Sequence, residues 1–166
     1  MTTEIKKFKK ENLTVRVFAD DISAGQGSAD FVAKHLNDAI RAKGHANLIL
    51  ATGASQFAFI KAIKTLPIDW SKITVFHLDE YKDLPETHPA SFRKYLKERI
   101  LDEVKPHQVY YIHGDAEDIE REITLYENLL KEATIDVACI GIGENGHIAF
   151  NDPGVADFND PKLVKI

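Results

Sequence analysis

Residues 48–55 read Leu48-Ile49-Leu50-Ala51-Thr52-Gly53-Ala54-Ser55, three aliphatic side chains in a row running into a short polar loop that contains a glycine. After the loop, Phe59, Ile60 and Ile63 recur at helical spacing, so the stretch reads as strand, turn and helix. A strand that is apolar at every position buries both of its faces, which is the habit of parallel sheets sandwiched between helices.

The unit repeats in both directions. Toward the N-terminus, Thr14 to Phe18 alternates β-branched residues, and Ala29, Val32, Ala33, Leu36, Ala39 and Ile40 form a helical stripe that stops before Gly44, a C-cap residue type. Toward the C-terminus come a strand over Ile73 to Leu78, a helix over Pro89 to Leu101 with proline near its first turn, and a strand over Val109 to Ile112. Asp115 is the expected N-cap of a helix through Ile119, Ile123, Tyr126 and Leu130, and Val137 to Ile142 makes a fifth strand. The alternation predicts one doubly wound, Rossmann-like α/β domain over residues 1–166, a mostly parallel sheet with helices on both faces. Leu163-Val164-Lys165-Ile166 begins a further strand-like pattern, so the domain is expected to lack its C-terminal portion.

Composition removes several classes. With 166 residues, 44% of them hydrophobic and 28% charged, the chain can build one ordinary core. A net charge of −5, with only scattered lysines between Ile5 and Lys10, disfavours nucleic acid and anionic membranes as partners. The single cysteine, Cys139, sits in the apolar run Val137 to Ile140 and reads as a buried, unreactive thiol suited to a reducing cytoplasm. The opening MTTEIKKFKKENLTV carries charges where a signal peptide needs an apolar stretch, and no apolar run approaches the roughly 18 residues of a membrane span, so a cytoplasmic protein is expected. Gly25-Gln26-Gly27 lacks the third glycine and the preceding strand of a dinucleotide fingerprint, which disfavours NAD.

In open parallel sheets the ligand crevice lies beyond the carboxyl ends of the strands, here the segments after Leu50, Leu78 and Gly141. Thr52-Gly53-Ala54-Ser55 offers two hydroxyls and free amides to a phosphate or carboxylate, although an ordinary turn with Ser55 as N-cap uses the same residues. Asp79 and Glu80 close the third strand, where burial and a second carboxyl would raise proton affinity into the range of a general base. The plainer alternative has Asp79 capping the next turn and Glu80 pointing into water. The segment Gly141 to Pro153, GIGENGHIAFNDP, sets His147 in a glycine-rich loop with Asn145 and Asp152 near enough to hold it. The histidines at 35, 45, 77, 88, 107 and 113 show no paired spacing, and His147 with Asp79 and Asp152 lacks a helical ligand pair, so no metal is expected.

At these loops the chain resembles the glucosamine-6-phosphate deaminase/isomerase family, in the superfamily that also holds 6-phosphogluconolactonases. The resemblance lies in Leu48 to Gly53, in Phe76-His77-Leu78-Asp79-Glu80-Tyr81 with Leu84-Pro85 and His88-Pro89, and in Gly143 to Pro153, in the family's order and approximate spacing. Tyr81 after the acid pair, and Ile148-Ala149-Phe150-Asn151 after Gly146-His147, resemble the deaminase branch rather than the lactonases.

The resemblance implies a cofactor-free enzyme that converts glucosamine-6-phosphate or galactosamine-6-phosphate to a ketose 6-phosphate and ammonia. It implies that Asp79 moves a proton between C2 and C1, that His147 opens the ring, and that Asn145 and Asp152 orient the histidine. Thr52, Gly53, Ala54, Ser55, Glu80 and Gly146 would contact the substrate. Ala54 and Gln56 depart from a frequent glycine and proline, and Asp152 is one methylene shorter than the commoner glutamate, which implies a divergent subgroup. Family members continue past Ile166 with basic residues that clamp the phosphate, so the 166-residue chain alone is expected to be poorly active; a homo-oligomer is left open. Two other readings keep the fold: a lactonase using His147 to activate water, and a sugar-phosphate sensor, which has no need of Asp79 and His147 together.

Overall fold

The computed structural model describes residues 3–164. Strand β1 (Glu4–Lys10) pairs with β2 (Leu13–Phe18) in an antiparallel hairpin that stands apart from the main sheet. The expected first strand therefore exists but does not join the parallel sheet. Its partner β1 escaped the sequence because every residue in it is exposed, leaving no apolar alternation to read.

Helix α1 (Asp21–Lys43) starts well before Ala29, capped by Asp20, which accepts from the Ser23 N–H at 2.6 Å, and closed by Gly44 at φ 84°. Gly25 and Gly27 lie inside it despite their poor helix propensity. Close packing is the reason: a Cβ on Gly25 would fall 2.5 Å from the Ala58 carbonyl carbon, and one on Gly27 would fall 2.4 Å from the Phe18 ring.

The chain then runs β3 (Ala46–Leu50), α2 (Phe57–Ile63), β4 (Ile73–His77) and α3 (Phe92–Leu96). A π-helical turn, Lys97–Leu101, carries α3 into α4 (Asp102–Val104), and β5 (Gln108–Tyr110), α5 (Ile119–Glu132) and β6 (Val137–Ala138) follow. Ser91, two residues beyond Pro89, caps α3 by accepting from the Lys94 N–H. Asp118 rather than Asp115 caps α5, accepting from the Arg121 N–H at 3.0 Å, because Asp115 turns toward Arg93 instead.

Four strands form a parallel sheet in the order β5-β4-β3-β6, with Leu48 opposite both Val75 and Val137. On one face Leu48, Leu50, Ile73 and Val75 bury against Leu36 of α1, Ile60 and Ile63 of α2, and Leu96 and Ile100 along α3 and its continuation. Each such side chain contributes roughly 1.5–3 kcal/mol of burial. On the other face Phe76 packs against Tyr110 and against Tyr126 of α5. Helices flank both faces, as the wholly apolar strands required.

Strand β6 is much shorter than the expected 137–142. After the Cys139 N–H bonds the Ile49 carbonyl at 2.9 Å, the backbone leaves the ladder to build the loop described below. Leu163 and Val164 lie in a bend rather than a strand, and Lys165 and Ile166 fall outside the described residues. Among the described residues, no helix is long and apolar enough to cross a membrane.

Candidate active site

Chain order takes β3 outward to β4 and β5 and then back past β3 to β6, so the direction of winding reverses at β3. At such a switch point adjacent connections leave on opposite sides and open a crevice at the carboxyl ends. The loops after β3, β4 and β6 line a cleft of about 400 Å³ there.

The Leu78 N–H bonds the Leu50 carbonyl at 3.1 Å as the last rung beside β3, and Asp79 follows with its place on the cleft wall. Burial, and then the charge of neighbouring Glu80, push the Asp79 pKa up to about 6, against the opposing pull of His147. A carboxylate tuned this way is still mostly ionised near neutrality, yet it holds an abstracted proton better than an ordinary aspartate.

Glu80 does not point into water, and it is not on the cleft wall as a substrate contact would be. Its carboxylate turns back into the protein, where it accepts from the Phe92 N–H at 3.0 Å, the Arg93 N–H at 2.9 Å and the Ser91 hydroxyl at 3.1 Å. The chain leaves β4 after His77 and the two acids diverge: Asp79 reaches the cleft and Glu80 the α3 terminus.

His147 reaches the cleft from a turn closed by two backbone bonds of 2.9 Å, Gly143 N–H to the His147 carbonyl and Gly146 N–H to the Gly143 carbonyl. A Cβ on Gly143 would lie 2.1 Å from His147 Cε1, so the imidazole lies across bare backbone that only glycine supplies. Asn145 Oδ1 takes the His147 N–H at 3.1 Å and faces Nδ1 at 2.7 Å, while Asn145 Nδ2 donates to Asp152 Oδ1 at 2.7 Å. An amide oxygen only accepts, so the network places the imidazole proton on Nδ1 and leaves the Nε2 lone pair free in the neutral ring. Asp152 Oδ1 stands 3.4 Å from the same Nδ1.

Thr52, Gly53 and Ser55 also line the cleft, whereas Ala54, Asn145 and Gly146 do not. Ser55 is not an N-cap: the short 3-10 turn Ala54–Gln56 begins after Gly53, at φ 103°, and the Ser55 hydroxyl accepts from Gln56. The Tyr95 hydroxyl donates to the Gly53 carbonyl at 2.8 Å.

Several contacts at the site carry no sequence signal. Tyr81 lies 5.0 Å from both Phe92 and Phe150, and the last two stack at 6.0 Å, making an aromatic wall from three separate segments. Ser91, Arg93 and Tyr95 sit in an ordinary amphipathic helix pattern, and only the packing of α3 beside β4 gives them their contacts.

An acid and an oriented imidazole over the switch-point crevice of a parallel sheet make an acid–base site of the α/β type. Residues 20–157 match the model of the glucosamine-6-phosphate isomerase/6-phosphogluconolactonase family, and the chain belongs to that family. It is 40% identical to a glucosamine-6-phosphate deaminase of Exiguobacterium sp. over 75% of this chain and 54% of that protein. It is 34% identical to a glucosamine-6-phosphate deaminase of Bacillus cytotoxicus over 80% of this chain and 51% of that protein. The chain thus spans about half the length of the curated relatives it matches. Among solved structures, a monomeric glucosamine-6-phosphate deaminase superimposes with a TM-score of 0.72 at 30% identity, over 81% of this chain and 57% of that one. The 6-phosphogluconolactonase of Plasmodium vivax shares the fold, with a TM-score of 0.76 at 23% identity over 90% of this chain and 54% of that one.

Proposed function

We propose that the chain carries the acid–base half of an aminosugar-phosphate deaminase, converting glucosamine-6-phosphate or its galacto epimer, with water, to a ketose 6-phosphate and ammonia. The observation that carries the reading is that Asp79, with its raised pKa, and His147, with Nδ1 held by Asn145, line one cleft. His147 Nε2 accepts the proton of the anomeric hydroxyl and returns it to the ring oxygen, which opens the sugar to its aldehyde. Asp79 removes the proton from C2, the C1 oxygen takes a proton from the substrate's C2 ammonium group to give the enolamine, and Asp79 returns its proton to C1. The resulting ketose imine adds water at C2 and expels ammonia.

Thr52, Ser55 and the loop amides are the groups of the cleft suited to the phosphate, since no lysine or arginine is among the described residues that line it. The aromatic wall suits the apolar faces of the sugar chain. Asn145 acts on the substrate only through His147, whereas Asp152 both lies 3.4 Å from His147 Nδ1 and lines the cleft.

Ammonia and ketose phosphate are to be followed with both aminosugar phosphates, alongside hydrolysis of 6-phosphogluconolactone. The reading expects ammonia release that Asp79→Asn abolishes while substrate binding persists. Lactone hydrolysis without ammonia release, or ammonia release that survives the substitution, overturns it.

A further inference from the structure

Glu80 and Arg93 lie behind the cleft, with side chains 0% and 3% exposed, and the proposed chemistry uses neither. Besides its bonds to Ser91, Phe92 and the Arg93 N–H, the Glu80 carboxylate accepts from its neighbour Tyr81 N–H at 3.0 Å, and Arg93 Nε lies 3.4 Å from it. The guanidinium ties in two further segments, the loop after β4 and the loop after β5. Its Nη2 donates to the Leu84 carbonyl at 3.0 Å and meets Asp115 at 2.9 Å, and its Nη1 faces His113 Nδ1 at 3.2 Å. The residue after Asp79 is thereby fastened to the start of α3, and the loop that follows β4 is fastened to the same arginine.

We propose that Glu80 and Arg93 form a buried positioning unit for Asp79: Glu80 is a permanent anion that fixes the end of β4 and opposes a second negative charge beside it, and Arg93 anchors both Glu80 and the loop. The proposal rests on the reading of Asp79 as the base. A buried carboxylate stays ionised only when several donors replace its water, and the three backbone N–H groups and one hydroxyl do so here. Burial works to raise the Glu80 pKa, but the N–H groups of Phe92, Arg93 and Tyr81 outweigh it and hold the group below its ordinary value. Asp79 moves the opposite way, through burial and the charge of Glu80. The other charged or titratable groups that face this pair are few. His147 faces Asp79, and His77, His113 and Asp115 face Glu80 and Arg93. Burial pushes His77 down to about 4, so it supplies no positive charge near neutrality.

The test is carbon-13 NMR of the Asp79 and Glu80 carboxyl carbons in the intact chain. As the pH falls, Asp79 protonates first and Glu80 later; the reverse order overturns the proposal without any variant. In Glu80→Gln, which keeps the side-chain shape, the Asp79 midpoint falls by about one pH unit, and the acid limb of kcat/KM for ammonia release moves down with it. An Asp79 midpoint unmoved in folded Glu80→Gln also overturns it, since a merely structural role lowers the melting temperature alone. Glu80→Asp keeps the charge but loses the reach, so it restores the midpoint and not kcat. A wild-type chain that titrates in the expected order yet hydrolyses 6-phosphogluconolactone and releases no ammonia leaves the positioning unit standing and sinks the deaminase reading instead.

Discussion

The Tyr95 hydroxyl donates to the Gly53 carbonyl at 2.8 Å, tying α3 to the loop that carries Thr52 and Ser55. Gly53 holds that loop in a backbone conformation, φ 103°, that other residues rarely adopt. The Tyr95 ring stacks on the Phe57 ring at 6.1 Å, and the Arg99 guanidinium lies over both, 4.9 Å from Tyr95 and 4.4 Å from Phe57. Tyr95→Phe keeps the ring and removes the bond, so it should lower stability by about 1 kcal/mol in denaturant titrations. Because the loop is the anion-compatible part of the cleft, KM for the sugar phosphate should rise several-fold, on the order of what one lost hydrogen bond implies, with kcat little changed.

Asp79→Asn should stabilise the fold near neutral pH. The folded-state pKa of about 6 stands above the ordinary 3.8, so between those values the folded chain binds more protons than the unfolded one, and stability falls as pH rises through the window. Asparagine escapes that loss. Discounted for the partial exposure of the site, the gain above about pH 7 is on the order of 1 kcal/mol, and it vanishes below about pH 3, where both states are protonated. Thermal melts of both proteins across that range check the sign.

Gly143→Ala should disable the imidazole. Its methyl would occupy the space 2.1 Å from His147 Cε1, so the ring must leave its place over the turn. Asn145→Ala does less damage, removing the acceptor for Nδ1 and the donor to Asp152 while leaving the turn intact. Loss of a group that orients a general acid–base should cost about 10- to 100-fold in kcat, and displacement of that group about 100- to 10,000-fold. Ammonia-release kinetics separate the two variants.

Cys139 should resist alkylation in the folded chain. Burial pushes its thiol up to about 12, so almost no thiolate is present near pH 8. Iodoacetamide labelling should track unfolding, and rapid labelling of the native chain would contradict this placement of β6.

The parallel strands and the three loops were legible because their signals are local. Leu48-Ile49-Leu50 is apolar without alternation, Ile73 to Phe76 is β-branched or aromatic throughout, and the glycines around His147 mark a turn wherever it sits. The boundaries failed where packing overrides propensity. Gly25 and Gly27 precede the helical stripe that begins at Ala29, yet they belong to α1, where Ala58 and Phe18 press against them. Val137 to Ile142 reads as a full strand, yet only Val137–Ala138 are paired in β6, and the chain beyond Cys139 turns to the cleft. The hairpin partner β1 has no buried face, hence no periodicity to find.

Residue order alone determined that an acid pair follows one strand, that a histidine sits in a glycine-rich turn after another, and that both strands come from apolar runs. It did so because hydrophobic period and turn chemistry act over a few neighbouring residues. Only the tertiary structure decided that Asp79 faces the cleft while Glu80 faces Arg93, that Asn145 stands between His147 and Asp152, and that Tyr81, Phe92 and Phe150 meet in one wall. Those outcomes depend on which side each side chain takes and on contacts between segments up to 69 residues apart, as Tyr81 and Phe150 are. No local pattern encodes them.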